Sequence, residues 1–162
     1  MSFGFTNTIW ENIARVASVT LVVATLFLSI RSAAAAVDPI NKNLFGTALK
    51  GYDAVAYFKE GKPVKGKDEF RHDWMGAKWY FASAENRDAF VKEPRKYAPQ
   101  FGGYCAWAVA NGYTANIDPA AWRIVDGKLY LNYSKDVQKK WEADIPGFIK
   151  QGNENWPKLN KK

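Results

Sequence analysis

Polar and hydrophobic residues alternate in two stretches of the chain, and each stretch predicts a β-hairpin. Glu69–Trp74 alternates polar and aromatic residues, Met75-Gly76 supplies a turn, and the aromatic run Trp79–Phe81 follows it. The second stretch, Trp122–Tyr133, is interrupted by Asp126-Gly127, a pair typical of a two-residue type I′ turn. The pattern therefore predicts two antiparallel hairpin units.

Short helices are predicted beside the hairpins. Ser83 is placed to cap a helix that ends near Glu93, because the residue before Pro94 is pushed out of the helical region of backbone conformation. Ser134 caps a second helix, which Pro146 is expected to break. Together the elements predict a small α+β fold, in which an antiparallel sheet built from two hairpin units packs against three or four short helices.

Two further segments carry weaker patterns. Ala54–Phe58 is short and apolar and is predicted as a strand, and Ala106–Ala110 is predicted as a helix that ends at Asn111-Gly112. The adjacent Gly102 and Gly103 predict either a turn with positive φ or a point where another group approaches the backbone closely.

The N-terminal residues have the composition of a targeting segment. Arg15 precedes a largely apolar run over residues 16–30, and Ala34-Ala35-Ala36 supplies the small side chains that a signal peptidase accepts. We predict a signal peptide over residues 1–36, cleaved near Ala36, and hence a periplasmic or secreted protein. The alternative is an uncleaved N-terminal membrane anchor.

The remaining chain divides by composition. Residues 37–50 have few paired apolar positions and are interpreted as a linker or a loosely docked arm. Residues 51–157 hold the predicted hairpins and helices and form the working domain, and residues 158–162 form a basic tail.

Charge restricts the partners. The chain has 23 Lys and Arg against 16 Asp and Glu, a formal net charge of +7, but Lys and Arg never form a run longer than two residues. We therefore predict no nucleic-acid partner. The excess of positive charge is consistent with peripheral contact with an anionic membrane surface, or with a solvated face that aids solubility.

A resemblance to a known family rests on four segments. The stretch from Gly76 to Tyr97 resembles a YHS domain, and the chain as a whole is similar to exported bacterial YHS domain-containing proteins. The supporting segments are Gly51–Asp53, Phe101–Ala106 and Asp126–Tyr133. The resemblance implies a small domain related to the metal-sensing TRASH modules, in which cysteines on the strand end and the helix bind heavy metals. Here the matching positions hold Ala82 and Asn86, so the metal site of the family does not transfer.

Only two residues offer soft or borderline metal ligands. Cys105 is the only cysteine and His72 the only histidine, and they are the predicted ligands of a transition-metal ion, the one cofactor considered. A helix N-terminus beside Cys105 would favour its thiolate, whereas the alternative is a buried thiol that acts as a small hydrophobic residue. For His72, the alternative is a surface side chain bonded to a carboxylate.

Three more residues complete the candidate site. Tyr52, Asp53 and Tyr104 are predicted to bind a ligand in a pocket shared with His72 and Cys105, where Asp53 would orient His72 or bind a cation. The alternative for Asp53 is a carboxylate that accepts hydrogen bonds from backbone N–H groups in its own turn.

The predicted function is an exported, non-catalytic binding module for a metal ion or a small ligand. Its partner would be that ligand or an unknown periplasmic protein. A protein-interaction or structural domain with no small-molecule site is the first alternative. An enzyme with Cys105 as nucleophile and His72 as base is the second.

Overall fold

The computed structural model describes residues 36–161. The predicted signal peptide therefore lies outside the described residues, apart from Ala36. Within residues 36–161, no helix is long and apolar enough to cross a membrane.

Both predicted hairpins are confirmed. In the first, β1 (Lys67–Trp74) pairs antiparallel with β2 (Ala77–Phe81); in the second, β3 (Asp118–Val125) pairs antiparallel with β4 (Lys128–Asn132). The turn at Asp126-Gly127 has positive φ at both residues, +49° and +70°, as a type I′ turn requires. Each hairpin is a separate two-stranded sheet.

The described residues hold six α-helices. Their bounds are α1 (Ala56–Lys59), α2 (Ala84–Lys92), α3 (Pro94–Tyr97), α4 (Ala106–Ala110), α5 (Lys135–Glu142) and α6 (Ile145–Leu159), with 3₁₀ turns at Leu49–Gly51 and Gln100–Gly103. The α+β class is thus confirmed. Ser83 and Ser134 cap α2 and α5 as predicted, since each side-chain oxygen accepts a hydrogen bond from a backbone N–H three residues later.

Two local predictions were wrong. Ala54–Phe58 is not a strand, because Val55 already has helical dihedral angles and Ala56 begins α1. The helix capped by Ser134, α5, ends at Glu142, before Pro146 is reached, and Pro146 lies in the first turn of α6, where a missing N–H costs nothing. Four-residue α1 and α3 are single turns, which are too short to produce a hydrophobic period.

Residues 37–50 contact the body of the domain. The backbone N–H of Val37 donates to the carbonyl of Leu159 at 3.1 Å, and that of Asn41 donates to the carbonyl of Gly102 at 2.8 Å. Ile40 and Leu49 are buried in the main hydrophobic core, beside β2 residues such as Trp79.

A second apolar cluster lies between β4 and α6. Its buried members are Phe101, Ala106, Val109, Tyr130 and Trp141.

Candidate ligand-binding groove

Cys105 is buried in the core. Its side chain is 1% exposed, and its sulfur lies 3.8 Å from the amide oxygen of Asn132, the only side-chain hydrogen-bond partner it has among the described residues. Burial raises the pKa of the thiol above its ordinary value. The adjacent helix, α4, has only five residues and does not reverse that effect. Cys105 is therefore a neutral thiol at pH 7, as in the hydrophobic alternative.

His72 lies on β1, directly opposite Trp79 on β2. Its ring is half-buried and contacts the ring of Phe90 at 6.4 Å between centroids. Within the described part of the chain, no hydrogen bond or ring contact joins His72 to Cys105.

Asp53 is a fully buried carboxylate with four hydrogen-bond donors. Its Oδ1 accepts from the backbone N–H groups of Val55 at 2.7 Å and Ala56 at 3.1 Å, which stabilises the turn that leads into α1. Its Oδ2 accepts from the backbone N–H of Ala82 at 2.8 Å and from Nδ2 of Asn86 at 2.7 Å. Two of the four donors, the N–H groups of Val55 and Ala56, belong to the turn that follows Asp53, as the backbone alternative describes, and the other two come from Ala82 and Asn86. Within residues 36–161, no hydrogen bond joins Asp53 to the imidazole of His72.

Ala82 and Asn86 occupy the positions that correspond to the metal-binding cysteines of the family that the chain resembles. Both donate to Asp53, and Oδ1 of Asn86 also accepts from Nζ of Lys59 at 3.2 Å. This chain of polar contacts ties the end of β2 and the first turn of α2 to the entrance of α1. A hydrogen-bond network thus occupies the strand–helix junction.

The two predicted ligand-binding tyrosines have separate surroundings. The Tyr52 ring lies under Nζ of Lys65 at 4.7 Å from the ring centroid. Tyr104 packs against Trp156 at 5.8 Å between ring centroids, and burial, with a smaller effect of Asp38, raises the pKa of its hydroxyl.

The donor set does not fit a metal ion. Among residues 36–161, no group of three or more His, Cys, Asp or Glu side chains is placed to hold one. Tetrahedral soft-metal sites need several S or N ligands, whereas Cys105 faces an amide and His72 packs against Phe90. The assignment of these two residues as metal ligands stays a prediction.

One depression on the surface of the described residues is an open groove of about 330 Å³, here called the aromatic groove. It lies where the end of β1, α3 and the Gln100–Gly103 turn meet the N-terminal arm and α6. Its principal lining residues are Ile40, Trp74, Arg95, Gln100, Phe101 and Trp156.

Tight backbone packing shapes the floor of the groove. Phe101 has a positive φ of +55°, unusual for an aromatic residue, and Gly102 follows at +61°. A Cβ placed on Gly102 would lie 2.1 Å from the carbonyl oxygen of Pro39, and one on Gly152 would lie 2.5 Å from the Phe101 ring. Both predictions for the glycine pair are therefore confirmed: Gly102 and Gly103 have positive φ, and the Pro39 carbonyl approaches the backbone at Gly102.

The polar groups of the groove are cationic or neutral. Arg95 is exposed and forms no ion pair within residues 36–161. The amides of Gln100, Asn153 and Asn160 also line the groove, and none of the Asp and Glu residues within 36–161 does. A guanidinium with amide donors and indole rings can hold an anion and stack against a flat apolar surface.

Sequence reasoning missed this groove. Its lining comes from separate segments of the chain, and only the paired glycines gave any signal in advance. Of the predicted site residues, none is among the residues that line it, although Tyr104 packs against Trp156 behind the floor.

The comparisons with known proteins agree with one part of this description. A YHS domain is detected at residues 55–101, which span α1, both strands of the first hairpin, α2 and α3. No curated protein matches the chain. No solved structure matches it either. The detected domain supplies Trp74 and Arg95 to the groove, whereas Ile40 and Trp156 come from outside it.

Proposed function

We propose that the chain is an exported, non-catalytic binding module whose aromatic groove holds a small organic anion with a flat apolar part. The detected YHS domain is consistent with a binding role. Export rests on the sequence of residues 1–36, in which a cation, an apolar run and small residues follow in the order of a signal peptide.

The observation that carries the proposal is Arg95 on the rim of a groove that contains no carboxylate. Such a guanidinium is available to a ligand carboxylate or phosphate, and it offers two parallel N–H donors to either. Trp74 and Trp156 provide apolar surface in the same groove. Its volume of about 330 Å³ is at the lower end of the range of ligand pockets, about 300–1,000 Å³, and suits a small molecule.

The test uses 2-naphthoate as the probe and 2-naphthamide as its uncharged counterpart. We expect naphthoate to shift the indole N–H signals of Trp74 and Trp156 in ¹H–¹⁵N NMR spectra. Arg95→Gln should weaken naphthoate binding about tenfold or more, because hydrogen bonds to charged groups contribute about 1.5–3 kcal/mol. It should leave naphthamide binding nearly unchanged.

Arg123→Gln is the matched control, since Arg123 lies on β3 and pairs with Glu142 at 3.5 Å. This variant should bind naphthoate as the unmodified chain does. Equal binding of the acid and the amide, or signal shifts confined to residues outside the groove, would contradict the proposal.

A metal ion on Cys105 and His72 is the second candidate; the detected YHS domain is consistent with a binding role, but it includes His72 and not Cys105. It predicts stoichiometric zinc or copper in the purified chain, lost in Cys105→Ser. Metal analysis of the two proteins separates this candidate from the organic-anion proposal, in which Cys105 has no part. A module that binds only another protein would show neither metal nor naphthoate binding.

A further inference from the structure

Two large apolar side chains project fully into solvent at one ordered turn. Leu44 is 103% exposed and Phe45 is 80% exposed, and no other large hydrophobic residue within 36–161 exceeds Tyr133 at 60%. Adjacent exposed Leu and Phe residues form an apolar surface that water disfavours, and such surfaces mark interaction sites. We call Leu44 and Phe45 the apolar tip.

The turn that carries the apolar tip is held by hydrogen bonds. Oδ1 of Asn43 accepts from the backbone N–H groups of Phe45 and Thr47, each at 2.9 Å, and the Asn43 carbonyl accepts from Gly46 at 2.9 Å. The turn is fastened to β2, because the backbone N–H of Lys78 donates to the Gly46 carbonyl at 2.8 Å. The two apolar side chains are thus displayed on a rigid support.

Four lysines lie in the segments that carry or adjoin the apolar tip. Lys42 and Lys50 line an open cleft of about 330 Å³ next to Leu44. Lys78 follows on β2, where its backbone N–H bonds to the turn, and Nζ of Lys65 donates to the carbonyl of Lys50 at 2.7 Å. The carboxylates close to these lysines are Asp38, 3.6 Å from Nζ of Lys42, and Asp73, opposite Lys78 in the first hairpin. Asp73 itself pairs with Arg71 at 3.6 Å, so these contacts leave an excess of positive charge beside the turn.

We propose that the apolar tip inserts into the interfacial region of an anionic lipid bilayer while the adjoining lysines contact the lipid headgroups. Charge complementarity selects this occupant, since basic residues beside an apolar point match an anionic surface with an apolar interior. A rigid turn adds to the fit, because little conformational entropy is lost when it inserts. The inference is independent of the aromatic groove, to whose lining neither Leu44 nor Phe45 contributes.

The experiment labels the tip in the full chain. In Phe45→Cys, a nitrobenzoxadiazole maleimide reacts at position 45, because the other cysteine, Cys105, is 1% exposed. Tyr133→Cys, at another exposed aromatic position, gives the matched control. Each labelled chain is mixed with vesicles of equal parts phosphatidylcholine and phosphatidylglycerol, or of phosphatidylcholine alone.

The label at position 45 should shift its emission to the blue with phosphatidylglycerol vesicles, and its quenching by aqueous iodide should fall severalfold. The label at position 133 should show neither change, even where residues 1–35 hold the chain on the vesicle. In labelled chains that also carry Lys50→Glu and Lys78→Glu, the protection from iodide should be lost, because each lysine near an anionic surface contributes to binding.

Three results would overturn the inference. The first is a label at position 45 that stays accessible to iodide on both kinds of vesicle. The second is equal protection at positions 45 and 133. The third is protection at position 45 that appears only when a second protein is added, which would make the tip a protein-docking site.

Discussion

The buried carboxylate of Asp53 gives the sharpest test of how the fold is held together. It is 0% exposed, and all four of its hydrogen-bond donors belong to the protein. In Asp53→Asn the shape is kept, and one oxygen remains to accept from the N–H groups of Val55 and Ala56. The other oxygen becomes an NH₂ group that faces two donors, the N–H of Ala82 and Nδ2 of Asn86.

The cost follows from those two donors. Each loses a charged acceptor inside the protein, and an unsatisfied buried donor costs about 1–3 kcal/mol. We therefore expect Asp53→Asn to lower the free energy of unfolding by about 2–6 kcal/mol. Against a total stability of about 5–15 kcal/mol for a domain, a loss of this size leaves a weakly folded protein.

Urea unfolding followed by near-ultraviolet circular dichroism measures the loss. Asp88→Asn is the matched control, because Asp88 is an exposed residue of α2 that pairs only with its neighbour Arg87. Its effect should lie within about 0.5 kcal/mol. A loss below about 1 kcal/mol in Asp53→Asn would refute the structural role and return Asp53 to the candidates for ligand binding.

Three further predictions concern other parts of the fold. Gly102→Ala should destabilise the domain by about 2 kcal/mol or more in urea unfolding, since its Cβ would lie 2.1 Å from the Pro39 carbonyl oxygen. Gly61→Ala is the control, because Gly61 has a similar φ and a Cβ there would have no neighbour within 4 Å; it should cost about 1 kcal/mol. Burial raises the pKa of the Tyr57 hydroxyl well above its ordinary value of 10.0. Below pH 10 the hydroxyl is protonated in both the folded and the unfolded chain, so it should not make the free energy of unfolding depend on pH. Above pH 10 only the unfolded chain ionises at Tyr57, so the free energy of unfolding should fall. Tyr57→Phe should therefore flatten the decline measured by unfolding at alkaline pH. Cys105 should react with Ellman's reagent at pH 7 only as fast as the chain opens, and a rapid reaction in native buffer would contradict its burial.

The features that could be predicted from the sequence are those determined by neighbours in the chain. Ser83 and Ser134 cap their helices through donors three residues away, and Asp126-Gly127 forms its turn through its own backbone angles. The alternation in Glu69–Trp74 gave the first hairpin because one side of the strand faces the core.

The features that were missed depend on contacts between distant segments. Ala54–Phe58 is apolar enough for a strand, but Asp53 stabilises the turn that leads into α1 there while its second oxygen bonds to Ala82 and Asn86, about thirty residues away. Pro146 is a local exception: it was expected to break a helix, but it lies in the first turn of α6, which Asp144 caps through the N–H of Gly147. In the aromatic groove, Ile40 and Trp156 meet only in the folded chain.

The contacts of Asp53 also bear on where a ligand would bind. Ala82 and Asn86 stand where the resemblance places cysteines in metal-binding relatives, and both donate to a carboxylate that the fold needs. Because that junction is buried and its hydrogen bonds are satisfied, a ligand there would have to displace structural contacts. A ligand in the aromatic groove displaces only water, since Arg95 has no ion pair within the described residues and the groove is open. Binding at the edge of the YHS domain therefore costs less stability than binding at its centre.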